Sequence, residues 1–156
     1  MPVALHRLLA SDAPAAVWLI RLLVGAVFVA EGIQKFLFPA ELGVGRFTKI
    51  GIPSPEVLAP FVGGVEIVGG LCLLLGLLTR LTALALLVDM LVAIATTKIP
   101  ILLNDGIWKM AHEARTDWSM LLGALFLLVV GAGAWSLDAR LARAAPGGSA
   151  WERRYG

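Results

Sequence analysis

The sequence predicts an all-α fold, an integral membrane protein whose helices form a four-helix transmembrane bundle. Hydrophobic residues make up 59% of the 156 residues, and charged residues only 15%. The mean hydropathy is +0.87, well above that of ordinary soluble domains. Four hydrophobic stretches are long enough to cross a ~30 Å hydrocarbon core as helices of about 20 residues. They cover about 16–37, 57–78, 81–99 and 117–135.

These stretches account for most of the chain, so residues 1–156 are predicted to form a single transmembrane domain. The first stretch is much longer than the apolar part of a signal peptide, and we expect it to remain as a span. Four spans place both termini on one side, called the terminal side below, and the two long loops on the opposite, loop side. A Pro-Gly-Gly-Ser sequence predicts a flexible C-terminal tail at about 144–156.

The connections between the stretches differ in length. Only 78–81 separates the second from the third, which predicts a tight antiparallel hairpin. The first loop, 40–56, mixes apolar residues with turn formers and predicts a short surface helix that packs back onto the bundle. The second loop, 100–116, contains an Asn-Asp-Gly turn signal. For 107–115 within it, an interfacial turn and an extension of the last helix fit equally well.

Basic residues give the predicted orientation. Six lie on the terminal side and five on the loop side, and the positive-inside rule therefore favours termini in the cytoplasm. The terminal-side residues are Arg7, Arg80, Arg140, Arg143, Arg153 and Arg154. The loop-side residues are Arg46, Lys49, Lys98, Lys109 and Arg115.

Charge and cysteine content exclude two classes of function. The formal net charge is only +2 and the basic residues are dispersed, which disfavours nucleic acid as a partner. The single cysteine, Cys72, rules out an intramolecular disulfide and a Cys-x-x-Cys motif. Any redox role therefore requires a cofactor or a partner, and we expect Cys72 itself to be an inert buried thiol.

Apart from Lys98 at the end of the third stretch, which is counted with the loop side, five ionisable residues lie within the first three hydrophobic stretches: Arg21, Glu31, Lys35, Glu66 and Asp89. Counting the helical rise from the span centres places the three carboxylates within roughly 6 Å of the midplane. A charge at that depth costs at least ~2.5–3.5 kcal/mol, so these groups should face the bundle interior, paired or protonated. Together they predict a buried polar site, and proton handling or contact with a quinone are functions that it fits.

A structural interpretation fits the same residues. Glu31 and Lys35 are four residues apart on one helix face, and Arg21 would then pair with Glu66 or Asp89 to fix the helix register. The rule that ionisable residues inside membranes are usually functional favours the site. The glycines of the second stretch are better explained by close helix packing than by a ligand.

The densest polar segment precedes the fourth stretch and contains His112, Glu113, Arg115 and Asp117. Its spacing matches no standard metal site, so we predict no metal. A solvated helix end accounts for the first three as loop-side polar candidates. Asp117 fits either the cap of the last helix or the buried polar site.

Short motifs spread over about residues 16–140 give the chain a resemblance to the DoxX family. They are Arg21-x-x-x-Gly25, Gly32-x-x-Lys35, Gly51-Ile-Pro, Glu66-x-x-Gly-Gly, Leu75-Gly-Leu-Leu-Thr79-Arg80, Asp89, Asp117 and Gly131-x-Gly-x-Trp-Ser-Leu-Asp138. The resemblance implies a four-helix protein of the bacterial cytoplasmic (inner) membrane. Its relatives include the small subunit of a thiosulfate:quinone oxidoreductase. The motif positions that it carries over as site residues are Arg21, Lys35, Glu66, Asp89 and Asp117.

Three functions follow as hypotheses. The first is a subunit or accessory of a quinone-linked membrane redox system, with the lipid bilayer and a redox enzyme subunit as partners and a quinone as the fitting cofactor. The alternative is a non-catalytic scaffold or assembly partner for another enzyme. A small proton-coupled transporter is disfavoured, because the sequence shows neither inverted repeats nor interrupted helices in corresponding positions. Whether the chain is an enzyme, and in which oligomeric state it works, the sequence leaves open.

Overall fold

The computed structural model describes residues 9–144. Seven helices lie between Val17 and Ala144, and the described residues contain no strand. The predicted flexible tail, like Arg7, Arg153 and Arg154, lies outside the described residues except for Ala144. The helices are α1 (Val17–Leu37), α2 (Val44–Lys49), α3 (Pro55–Leu75), α4 (Thr79–Asp105), α5 (Ile107–Glu113), α6 (Arg115–Val130) and α7 (Leu137–Ala144).

Three helices in the described part of the chain are long and apolar enough to cross a membrane: α1, α3 and α4. The all-α membrane fold predicted from composition is thereby confirmed, whereas the count of four spans is not. The stretch predicted at 117–135 is helical only as α6, which has 16 residues. The helix ends where Gly131 adopts a φ of +84°, and residues 131–136 continue without regular helix.

The turn between α3 and α4 is as tight as predicted, but it lies two residues earlier. Gly76 ends α3 with a φ of +65°, and the N–H groups of Gly76 and Leu77 donate to the carbonyls of Leu73 and Cys72. This is a left-handed helix end, which glycine adopts without the steric cost of a Cβ. Leu78 is also left-handed, with a φ of +47°, and α4 begins at Thr79.

The predicted loop at 100–116 is wrong in its first part, because α4 continues through Pro100 to Asp105. The proline removes only one backbone hydrogen bond near the helix end, and the apolar residues that follow continue the helix. Residues Ile107–Glu113 form α5, a separate short helix between Gly106 and Ala114 rather than an extension of the last helix. In the first loop, α2 is the predicted short helix, and its Phe47 is buried.

Glycines bring α1 and α3 into close antiparallel contact. A Cβ added to Gly25 would lie 2.8 Å from the Gly70 carbonyl oxygen, and one added to Gly32 would lie 2.6 Å from that of Gly63. Such distances admit no side chain, so the packing role predicted for the second-stretch glycines is confirmed at Gly63 and Gly70. Gly64 has open space around its Cβ position and takes no part in this contact.

Fully buried apolar side chains fill the middle of the bundle. Val24 and Phe28 of α1, Leu73 of α3, Leu86 of α4 and Leu127 of α6 all belong to one core cluster. Below this core, toward α2, the four helices separate and enclose a cavity.

Candidate functional site

A cavity of about 440 Å³ lies in the loop-side half of the bundle. Its walls come from the C-terminal half of α1, the N-terminal half of α3, the C-terminal half of α4 and the first residues of α6, and α2 adds Arg46 and Phe47. Seven ionisable residues line it: Glu31, Lys35, Arg46, Glu66, Asp89, Lys98 and Asp117. Much of the remaining wall is apolar and includes Phe28, Phe61, Val62, Met90 and Met120.

The shortest ion pair in the cavity joins α1 to α3. Lys35 Nζ lies 2.6 Å from Glu66 Oε2, and the two side chains are only 12% and 7% exposed. The structural interpretation expected Lys35 to pair with Glu31 on its own helix, and in this respect it is wrong. The close glycine contact between α1 and α3 brings Glu66 within reach, whereas Glu31 lies exposed at the wall of the cavity.

A second ion pair joins α4 to α6 in the same cavity. Lys98 Nζ lies 3.2 Å from Asp117 Oδ2, with side chains that are 11% and 18% exposed. Asp117 therefore belongs with the buried charges. Lys98 was assigned to the loop side from the sequence, although it lies within the stretch 81–99. A lysine inside a hydrophobic stretch was the signal that could have identified it.

The other buried candidate, Arg21, lies apart from this cavity. It precedes Lys35 by fourteen residues, or roughly 21 Å along α1, and its side chain points to the terminal side of the core. The guanidinium donates hydrogen bonds to the carbonyls of Leu73, Leu74, Ala132 and Trp135, at distances of 2.9, 2.9, 2.9 and 2.7 Å. Its expected pairing with Glu66 or Asp89 is thus wrong.

Asp138 is a buried charge at the same end that sequence reasoning missed as a structural residue. It is 1% exposed, and its carboxylate accepts hydrogen bonds from the backbone N–H groups of Leu78, at 2.7 Å, and Thr79, at 2.8 Å. It therefore caps the first turn of α4 from a distant part of the chain. The only sequence feature that indicated Asp138 was its place as the last residue of the final motif shared with the DoxX family.

The loop-side candidates lie outside the cavity. His112, Glu113 and Arg115 are exposed, and the nearest contact among them is 3.5 Å, between Arg115 Nη1 and His112 Nδ1. Within residues 9–144, no group of three or more His, Cys, Asp and Glu side chains is arranged to hold a metal ion. These residues thus form a polar helix end at the surface.

The cavity combines polar and apolar binding surfaces. Four carboxylates and three cations face it from five helices, so hydrogen-bond donors and acceptors lie on more than one wall. Carboxylate side chains inside membrane proteins also form proton relays in pumps and transporters. The apolar and aromatic walls suit a flat or greasy molecule. A small amphiphile is therefore the kind of ligand that the cavity fits.

An all-helical membrane protein with a charge-lined cavity inside its bundle is the class that fold and site define. The DoxX family model matches residues 16–99, more than half of the sequence, and the chain belongs to the DoxX family. The match covers both members of the Lys35–Glu66 pair as well as Glu31, Asp89 and Lys98. The resemblance expected as far as residue 140 extends beyond this match, which ends before Asp117.

Two relatives were found among curated proteins. The uncharacterized membrane protein Rv3486 of Mycobacterium tuberculosis is 54% identical over 145 residues, covering 89% of each chain. The protein named "Putative oxidoreductase CatD" of Bacillus subtilis is 28% identical over 120 residues, covering 77% of this chain and 82% of its own. No solved structure matches the chain.

Proposed function

We propose that the protein is a membrane subunit or accessory of a quinone-linked redox system, and that its cavity binds the quinone head group. The observation that carries the proposal is the buried Lys35–Glu66 ion pair, which faces a cavity with largely apolar remaining walls. A quinone head group is a flat, mostly apolar ring with two carbonyl acceptors. Its chemistry matches the composition of the cavity more closely than that of a sugar, a nucleotide or a free ion.

Each part of the cavity has a role in this proposal. The Lys35 ammonium group donates a hydrogen bond to a quinone carbonyl, and the neighbouring aromatic rings of Phe28 and Phe61 flank the head group. Reduction of a quinone to a quinol consumes two electrons and two protons. Glu66 and Asp89 would take up the two protons from water and pass them to the quinone, and the partner enzyme would supply the two electrons. The name "Putative oxidoreductase CatD" of the Bacillus subtilis relative supports the redox class.

The test is the quinone content of the purified protein. The full chain is isolated in mild detergent, and extracted quinone is quantified per mole of protein against co-purified phospholipid. We expect enrichment over the lipid background and its loss in Glu66→Gln. Asp105→Asn is a matched control, because Asp105 forms an exposed ion pair with Lys109 away from the cavity. Quinone at the background level in the unsubstituted protein would overturn the proposal.

The scaffold function is the second candidate, and the arrangement of the ion pairs favours it. Lys35–Glu66 bridges α1 and α3, and Lys98–Asp117 bridges α4 and α6, as register-fixing pairs would. The double variant Lys35→Met with Glu66→Leu removes one pair and leaves apolar side chains. If this variant retains a co-purifying partner enzyme and its activity, the scaffold role is favoured. Loss of activity with the complex intact favours the quinone site.

We also propose that the chain lies in the bacterial cytoplasmic membrane with its termini in the cytoplasm. The slight excess of basic residues on the terminal side supports this orientation. The test uses a Cys72→Ala background with one new cysteine at Trp108, on the loop side. A membrane-impermeant maleimide should label this cysteine from outside intact spheroplasts. Labelling only after lysis would show that the loop side, rather than the termini, lies in the cytoplasm.

A further inference from the structure

A second concave surface lies at the opposite end of the molecule from the cavity. It is an open groove of about 550 Å³ between the C-terminal end of α3, the segment 134–137 and α7. Leu74, Leu75 and Trp135 form its apolar part, and Arg140 and Arg143 supply two cations. None of the residues within 9–144 that line it is acidic. The groove therefore joins an apolar surface to an uncompensated positive charge, without the ion pairs that characterise the loop-side cavity.

Several hydrogen bonds fix the groove in place. The N–H of Asp138 donates to the Gly76 carbonyl at 2.9 Å, while its carboxylate caps α4. The Arg21 guanidinium donates a hydrogen bond to the carbonyl of Trp135 at 2.7 Å. Ser136 Oγ donates to the Gly133 carbonyl at 2.7 Å and accepts the N–H of Ala139 at 3.1 Å, so it caps the start of α7. The two arginines of α7 are thus attached to the bundle by buried contacts.

The exposed parts of the groove have the chemistry of a membrane interface. Trp135 is 69% exposed and Leu75 is 56% exposed, although both are large apolar side chains. Tryptophan is enriched at the level of lipid head groups, and an arginine side chain can bind a phosphate through two parallel hydrogen bonds. Arg143 Nε donates to the Ala139 carbonyl at 3.1 Å, and the side chains of Arg140 and Arg143 are both exposed.

We propose that this groove binds an anionic phospholipid of the leaflet on the terminal side. The phosphate contacts Arg140 and Arg143, and an acyl chain lies along Leu75 and Trp135. Charge complementarity supports this occupant, since the described residues that line the groove include two cations and no carboxylate. The exposed side chains of Leu71 and Leu75 extend the apolar surface along α3, where an acyl chain would continue into the bilayer.

The experiment measures lipid preference in the full-length protein. The protein is reconstituted in nanodiscs of phosphatidylcholine with about 20% phosphatidylglycerol, which gives the bilayer a negatively charged surface. Native mass spectrometry after mild detergent release reports the retained lipids. We expect phosphatidylglycerol to be retained in preference to phosphatidylcholine. The double variant Arg140→Gln with Arg143→Gln should reduce this preference by roughly fivefold for each arginine removed.

Three controls make the result decisive. Arg140→Lys with Arg143→Lys keeps both charges but not the paired hydrogen bonds, and it should retain part of the preference, because lysine binds a phosphate as a point charge. Lys49→Gln with Lys109→Gln removes two exposed cations from the loop side and should leave the preference unchanged. Far-ultraviolet circular dichroism must show the same helix content in all variants. Equal retention of the two lipids by the unsubstituted protein would overturn the proposal. A loop-side variant with the same loss as the α7 variant would do so as well.

Discussion

Buried charged side chains have different kinds of partner at the two ends of the bundle. At the terminal side, Arg21 and Asp138 bond to backbone carbonyl and N–H groups, and the apolar core closes around them. At the loop side, two lysines form ion pairs with carboxylates of neighbouring helices, and all four side chains line a cavity. The first arrangement satisfies groups that the backbone itself leaves unpaired. The second leaves ionisable groups available to a ligand.

The comparison shows that burial alone does not identify a functional charge. Arg21 and Glu66 are almost equally buried, at 4% and 5% exposure. What separates them is the partner: Arg21 uses its donors on carbonyls of fixed backbone, whereas Glu66 faces an open volume. Variants at the two ends should therefore differ in whether they affect stability, ligand binding or both.

The largest loss of stability is expected for Arg21→Met. The substitution removes one donor from each of four carbonyl groups, of which that of Leu73 keeps the N–H of Gly76. For the other three, at about 1–3 kcal/mol for each buried group left unsatisfied, the loss should be about 3–9 kcal/mol. Unfolding in mixed detergent, followed by circular dichroism, measures the free energy of unfolding. Arg21→Lys should recover only part of it, because an ammonium group cannot reproduce the planar fork of donors. Equal stability of Arg21→Met and the unsubstituted protein would contradict this account.

Glu66→Gln should cost about 3 kcal/mol, since it leaves the Lys35 ammonium buried without its counter-charge. The double variant Lys35→Met with Glu66→Leu should recover most of this loss, because well-packed apolar residues often replace a buried ion pair at little cost. Both variants should lose the bound quinone. If the double variant recovers stability but not the bound quinone, the charges at the cavity serve ligand binding as well as stability, unlike those at the terminal side. The comparison fails if the double variant is as unstable as the single one.

Two glycine substitutions on the same helix pair provide a matched test of position. Gly25→Ala and Gly32→Ala each insert a methyl group against a backbone carbonyl of α3, and each should cost about 1–3 kcal/mol. Only Gly32 lies next to the Lys35–Glu66 pair along the helices, so only Gly32→Ala should also lower quinone content. Gly64→Ala, which meets open space, is the neutral control. Equal quinone loss in both variants would contradict this expectation and show that quinone binding depends on the whole α1–α3 contact.

The smallest expected effect is that of Asp138→Asn. An asparagine offers one acceptor oxygen where Asp138 uses two, so one N–H of the first turn of α4 loses its partner together with the charge, and the cost should be about 1–2 kcal/mol. Thermal unfolding should show a small decrease in Tm with unchanged quinone content. A loss of quinone would mean that the two ends are coupled.

Composition was sufficient to predict the all-α membrane fold, because few other structures satisfy the backbone of such apolar stretches. Span ends were harder, since α4 continues through Pro100 and α6 gives way to irregular backbone at Gly131. Neither outcome depends on local sequence alone. Proline within a helix is tolerated when only one hydrogen bond is lost, and irregular chain is tolerated when a distant Arg21 supplies the donors.

For the site, depth counting predicted which carboxylates lie together but not how they pair. Glu31, Glu66 and Asp89 all line one cavity, as their common depth suggested. The partner of Lys35 depends on the distance between α1 and α3, which the glycine contacts set. Lys98 shows the complementary difficulty: a lysine near a span end can extend to the interface or turn inward, and only the position of Asp117 decides between them.

The unequal lengths of α4 and α6 have a consequence for the surrounding bilayer. The 27 residues of α4 rise roughly 40 Å, whereas the 16 residues of neighbouring α6 rise roughly 24 Å, on either side of the ~30 Å thickness of a typical core. Lipids around this face therefore meet hydrophobic surfaces of two heights. Such mismatch is relieved by helix tilt or by local thinning at a fraction of a kcal/mol per Å. We therefore expect the protein's stability to vary with acyl chain length.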